Sequence, residues 1–251
     1  MTYCAGVLVN EGLVMVADTR TNAGLDNVST FRKLHVVDQH PDRILMLASA
    51  GNLSVTQSVI GYLAEGVENP QTGETETLGS APTMFRAAQL IGNAVRKVRD
   101  IDADAMNAAD VRFDVSLLFG GQIKGGPLRL FMIYSAGNFI ECGPDAPSLQ
   151  IGEHKYGKPI LDRAVSFNTD IYDALKIALI SMDSTMRSNL GVGLPIDIAV
   201  VRRDEVKPEL VHRIEAGEPY FHDLRERWSA ALRQAHINIP RPPYMGVTRM
   251  R

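Results

Sequence analysis

The chain has 251 residues, of which 45% are hydrophobic and 22% charged, with a formal net charge of −3. That composition excludes wholesale disorder, and the length suits one large domain better than two. A slightly acidic chain has no general basic field for nucleic acid or an anionic membrane, so neither partner is expected.

Two cysteines, Cys4 and Cys142, cannot build a disulfide framework or a Cys-rich zinc site. Their usage fits a reducing compartment. The start carries no secretory signal pattern. The longest uncharged stretch, Ile44 to Ala64, holds Ser49, Asn52, Ser54, Thr56, Gln57 and Ser58. So many hydroxyl and amide groups argue for strand, turn and helix instead of a membrane span. A cytoplasmic protein is expected.

Tyr3 to Val9 and Leu13 to Ala17 read as a hairpin around Asn10-Glu11-Gly12. A polar loop from Thr21 to Thr30 leads to a strand from Lys33 to Val37. Asp38 to Asp42 makes a turn into an apolar strand, Arg43 to Ser49. Asn52 is placed to cap a helix with Val55, Val59 and Leu63 on one stripe. After a polar loop from Glu68 to Ala81, Met84, Ala88, Ile91, Val95 and Val98 mark a second helix. Phe113 to Phe119 and Leu128 to Tyr134 are strands flanking a Gly-rich turn, Gly120 to Pro127. Shorter strands follow at Asn138 to Glu141 and Ser148 to Ile151. Lys155 to Ala164 is a weakly patterned helix interrupted by Gly157 and Pro159. Asp170 caps a clear amphipathic helix through Met182. Ile196 to Val201 and Glu209 to Ile214 complete the strands. Tyr220 to Ala235 reads as a last helix burying Leu224, Trp228 and Leu232, before a Pro-containing tail ending in Arg249 and Arg251.

This order is strands, helix pair, strands, helix pair, strands. It lacks the regular alternation of a doubly wound parallel sheet. Two face-to-face antiparallel sheets, each covered by a helix pair, would bury every element.

No Walker A pattern, G-x-S-x-G elbow or H-x-x-x-H pair is present, so no cofactor and no metal ligand is assigned. The start is more informative. A small second residue permits removal of Met1, leaving Thr2 with a free α-amine. A threonine hydroxyl needs a base, and an α-amine with a pKa of about 7.7–8.0 can serve. Asp18 ends the strand beside the one Thr2 opens, and Lys33 starts the next. A lysine there lowers the proton affinity of the attacking group, and Asp18 would hold it charged. Gly51, between a strand and a helix, is placed to offer a backbone N–H to developing negative charge. Taken singly, each has an ordinary reading: a common Met-Thr start, a surface ion pair, a glycine turn. Cys4 shares a face with Thr2 and reads as packing.

Together, Thr2, the Asp18-Thr-Arg-Thr-Asn-Ala-Gly run, Ser29-Thr-Phe-Arg-Lys33 and Ser49-Ala-Gly-Asn-Leu-Ser-Val-Thr-Gln57 resemble the proteasome-type N-terminal-nucleophile hydrolases. They are most similar to the Anbu, or ancestral β-subunit, family, which is related to HslV and proteasome β-subunits. The resemblance spans roughly Thr2 to Val201. It implies an α+β, four-layer αββα sandwich over residues 2–215, with a C-terminal helical extension and tail over 216–251. It implies Thr2 as nucleophile, Asp18 and Lys33 as tuning groups, Gly51 as oxyanion donor and Asp183 as a supporting aspartate. Thr21 and Asn22 fall where family members bind substrate backbone. Two positions depart from the pattern: Glu153 and Met186 stand where supporting serines are expected. The resemblance also implies a homo-oligomer in a ring, lock-washer or helical form, and ATP-grasp and transglutaminase-like pathway partners.

Three readings follow. The chain is a threonine hydrolase of peptide or related amide bonds, a narrow small-amide hydrolase, or a scaffold with a vestigial site. Retention of Thr, Asp and Lys together favours an enzyme.

Overall fold

The computed structural model describes residues 1–22, 28–37, 40–69 and 72–244. The sequence turn at Asp38 and the basic end at Arg249 and Arg251 lie wholly or partly outside them. Two compact units are present, 1–216 and 217–251.

The first unit opens with β1 (Tyr3–Val9) and β2 (Gly12–Asp18), joined tightly as the hairpin pattern predicts. The short strands β3 (Arg20–Asn22) and β4 (Val28–Thr30) pair with each other. Then come β5 (Leu34–Val37), β6 (Arg43–Gly51) and helix α1 (Leu53–Glu65). The polar loop after α1 contains a small ladder, β7 (Val67–Glu68) with β8 (Thr75–Glu76), which the sequence pattern does not reveal. Helix α2 (Met84–Ala108) precedes β9 (Val115–Ile123), β10 (Arg129–Ile133), β11 (Phe139–Glu141) and β12 (Ser148–Gly152). Helices α3 (Lys158–Ala164) and α4 (Ile171–Ser188) then lead into β13 (Ile196–Arg202) and β14 (Leu210–Ile214).

The strands form two antiparallel five-stranded sheets, ordered β12-β1-β2-β13-β14 and β11-β10-β9-β6-β5. Period-two alternation along β6 shows how they stack. Leu45 and Leu47 face one way, joining Val55, Val59, Ile91 and Phe119 under α1 and α2. Ile44, Met46 and Ala48 face the other way, meeting Leu13, Met15 and Ala17 of β2 between the sheets. Helices α3 and α4 cover the outer face of the first sheet. Four layers result, helix–sheet–sheet–helix. Every residue of β1 and β2 is buried because both faces of that sheet are covered.

One strand corrects the sequence expectation. Gly120 and Gly121 are not in the turn; β9 runs through them to Ile123, opposite Met46 and Leu45. A Cβ on Gly121 would collide with the Ile44 carbonyl oxygen, and its φ is +143°. Glycine there permits close backbone approach within a buried sheet.

The second unit holds α5 (Pro219–Asn238). Phe221 and Leu224 are buried, whereas Trp228 is half-buried and Leu232 exposed. Leu232 thus departs from the expected stripe.

Candidate active site

The β1–β2 register sets the first contact. Cys4 stands opposite Ala17, so Tyr3 and Asp18 meet at the open end of the hairpin. The Tyr3 backbone N–H donates to Asp18 Oδ1 at 3.0 Å, and the Arg20 N–H donates to Oδ2 at 3.2 Å. The Gly193 N–H, after α4, donates to Oδ2 at 3.4 Å. Asp18 is completely buried.

Lys33 arrives from the other sheet. It immediately precedes β5, the edge strand beside β6, and its carbonyl accepts from the Ser49 N–H at 3.1 Å. Its ammonium reaches Asp18 Oδ1 at 2.9 Å and the Arg20 carbonyl at 2.6 Å. With Lys33 only 5% exposed, this is a buried pair bridging the two sheets, not an ion pair on the surface. Burial pushes the Asp18 carboxyl above its ordinary value, while Lys33 and the Tyr3 and Gly193 N–H groups act in the opposite sense. A charge held this far from water needs such a complete set of donors.

Thr2 lies one residue before β1 and is 8% exposed. Its carbonyl accepts from the Glu153 N–H at 2.7 Å, just past β12. The Glu153 carboxylate accepts from Asn189 Nδ2, at the end of α4, at 3.2 Å. Glu153, which departs from the serine pattern, thus sits beside the candidate nucleophile through its backbone.

Gly51 is the last residue of β6, not a residue between strand and helix. The Asn52 N–H donates to the Asp114 carbonyl at 2.8 Å, which makes Gly51–Val115 a non-hydrogen-bonded pair of the β6–β9 ladder. The Gly51 N–H is therefore directed away from β9, toward the side where β5 has already ended. Its φ is +114°, and a Cβ would collide with the Asp114 carbonyl. Asn52 then caps α1, its side chain accepting from the Ser54 N–H at 2.9 Å, as the sequence predicts.

Thr2, Thr21, Lys33 and Gly51 all border one cleft of about 410 Å³. Asn22 pairs through its backbone with Val28, and its side chain lies outside the described residues. Asp183 is fully buried on α4 and accepts from Arg187 Nε at 3.1 Å; it does not line the cleft. Arg32, His35 and Gln57 do line it, although residue patterns alone did not single them out as site groups. Met1 also borders the cleft.

Two facing antiparallel sheets between helix pairs, with a threonine, lysine and glycine at one open end, define the fold of the proteasome-type N-terminal-nucleophile hydrolases. The chain belongs to the proteasome-subunit family, whose model matches residues 2–201, and within it to the Anbu proteins. The Anbu structure from Hyphomicrobium sp. strain MC1 is 45% identical, with a TM-score of 0.86 over 96% of this chain and 99% of that one. Anbu from Yersinia bercovieri is 44% identical, with a TM-score of 0.87 over 97% and 100% of the two chains. The helical assembly of the Anbu complex from Pseudomonas aeruginosa is 42% identical at a TM-score of 0.88, covering 96% and 98%. The proteasome subunit beta of Haloferax volcanii is 25% identical over 82% of this chain and 75% of its own length.

Proposed function

We propose that this chain is an N-terminal threonine hydrolase of peptide or related amide bonds, active after Met1 is removed and working as a cytoplasmic homo-oligomer. One observation carries the reading: Thr2, Lys33 and Gly51 converge on a single cleft, with Asp18 buried behind the lysine. Freed of Met1, the Thr2 α-amine takes the hydroxyl proton as Oγ attacks the substrate carbonyl. Lys33 lowers the proton affinity of that oxygen, and Asp18 fixes Lys33 in place. The Gly51 N–H meets the oxyanion of the tetrahedral intermediate. The amine then passes its proton to the leaving nitrogen as the carbon–nitrogen bond breaks. An acyl ester on Thr2 remains. Water attacks it, its proton goes to the amine, and the hydroxyl of Thr2 is restored.

Asp183, buried on α4, supports the site from behind, and the Thr21–Asn22 strand segment lies along substrate backbone. Homo-oligomerisation is supported by the helical assembly of the Pseudomonas aeruginosa relative.

Intact mass tests the base. The purified chain should lack one methionine, and a peptide epoxyketone, whose addition needs an amine and a hydroxyl on one residue, should modify Thr2. Thr2→Ala should remove both labelling and turnover on a panel of peptides and simple amides. Methionine retained on every chain, or turnover that survives Thr2→Ala, would sink the hydrolase and favour a scaffold.

A further inference from the structure

The cleft beside Thr2 has a marked charge asymmetry. Its lining includes Arg32, Lys33 and His35 beside β5 and Thr56, Gln57 and Ile60 of α1. Among the described residues, no aspartate or glutamate lines it.

The three side chains differ in what they offer. Lys33 is committed to Asp18 and the Arg20 carbonyl. Arg32 is exposed and, among the described residues, makes no ion pair, unlike the arginines paired elsewhere on the surface. His35 Nε2 is buried without a hydrogen-bond partner. The nearby Asp197 carboxylate is taken up by Arg213 at 2.7 and 2.8 Å. The N-terminus of α1, capped by Asn52, adds its positive dipole end at the cleft floor. An unpaired guanidinium and a helix N-terminus, at a cleft that no carboxylate lines among the described residues, form an environment complementary to negative charge; the His35 imidazole, held below its ordinary pKa by burial and by Arg32, is neutral and adds no charge.

From this we infer that the cleft selects a carboxylate-bearing side chain, aspartate or glutamate, on the acyl side of the bond presented to Thr2. Arg32 is the specificity-determining residue, placed at the mouth to meet the carboxylate. Gln57 offers an amide donor from α1, and Ile60 packs on the methylene stem. The inference rests on the proposed hydrolase reading, but binding tests it without chemistry.

The full-length Thr2→Ala protein should be titrated with fluorescein-labelled peptide amides differing only at one residue, Glu, Gln, Leu or Lys. The Glu peptide should bind at least about tenfold more tightly than the Lys peptide, and several-fold more tightly than Gln or Leu. Arg32→Glu in the same background should reverse the Glu-to-Lys order, with an unchanged thermal midpoint showing that the exposed substitution leaves the fold intact. Tighter binding of Leu or Lys, binding of none of the four, or an order insensitive to Arg32→Glu would each overturn the inference. Labelling of Thr2 in the unaltered chain reports separately on the hydrolase reading, so either idea fails without the other.

Discussion

Asp18 and Lys33 tie the stability of the sandwich to the proposed chemistry. Removing one partner strands the other charge in a site from which water is excluded, at a cost of about 3–5 kcal/mol. Asp18→Ala should therefore lower unfolding stability by that amount in denaturant titration and abolish turnover. Replacing both, as Asp18→Leu with Lys33→Met, should recover most of the stability because no unpaired charge remains. Turnover should stay absent. A double variant that is both stable and active would remove the pair from the mechanism. Residue types at this site were legible in the sequence: Thr2, Asp18, Lys33 and Gly51 all reach one end of the sandwich. Burial of the ion pair was not, because strand-end position alone does not reveal what covers it. Arg32, His35 and Gln57 were missed for a related reason. None forms a nucleophile, base or metal-ligand pattern of its own, and only the folded cleft brings them together.

At the scale of elements, the junction of β6 and α1 is the most informative. It combines a strand end, a glycine with positive φ and a capped helix within three residues. Asn52→Ala should cost about 1 kcal/mol through the lost cap, measured by chemical denaturation. Gly51→Ala should cost more, since the added Cβ meets the Asp114 carbonyl, and it should also displace the Gly51 N–H and lower turnover by at least tenfold. The amphipathic stripes of α1, α2 and α4 were readable because burial on one face imposes a 3.6-residue period. Gly120 and Gly121 were misassigned because glycine marks both turns and close backbone contacts, and local sequence does not separate the two. The β7–β8 ladder was missed because two-residue strands carry no period at all.

For the whole molecule, pH reports on the sandwich. Burial raises the Cys142 thiol to about 12, with Glu141 adding to the effect. Burial raises the Cys4 thiol and the Tyr3 hydroxyl further still. The unfolded chain releases these protons near pH 8.5 for the thiols and near 10 for tyrosine. The folded chain keeps them, so it binds more protons than the unfolded chain as pH rises above about 8.5, and stability must fall there. The thermal midpoint should decline from pH 8 to pH 10, and Cys142→Ala should make that decline shallower. Iodoacetamide at pH 8 should modify both cysteines only after unfolding. A chain ending at Ala216 should retain the circular dichroism of the sandwich yet sediment as a smaller species, if the second unit supports assembly.

Periodicity and element order pointed from sequence to two covered antiparallel sheets, because each helix and strand must bury a face, and the family resemblance implied the four-layer class that agrees with them. The residues of the proposed chemistry were likewise visible locally, as a threonine, an aspartate and a lysine at strand ends. Only the tertiary structure decided that the Asp18–Lys33 pair is buried, that it bridges two different sheets, and that a cleft lined by no carboxylate among the described residues opens beside Thr2. These are properties of the space between elements, where residues far apart in sequence set one another's solvent exposure and charge environment.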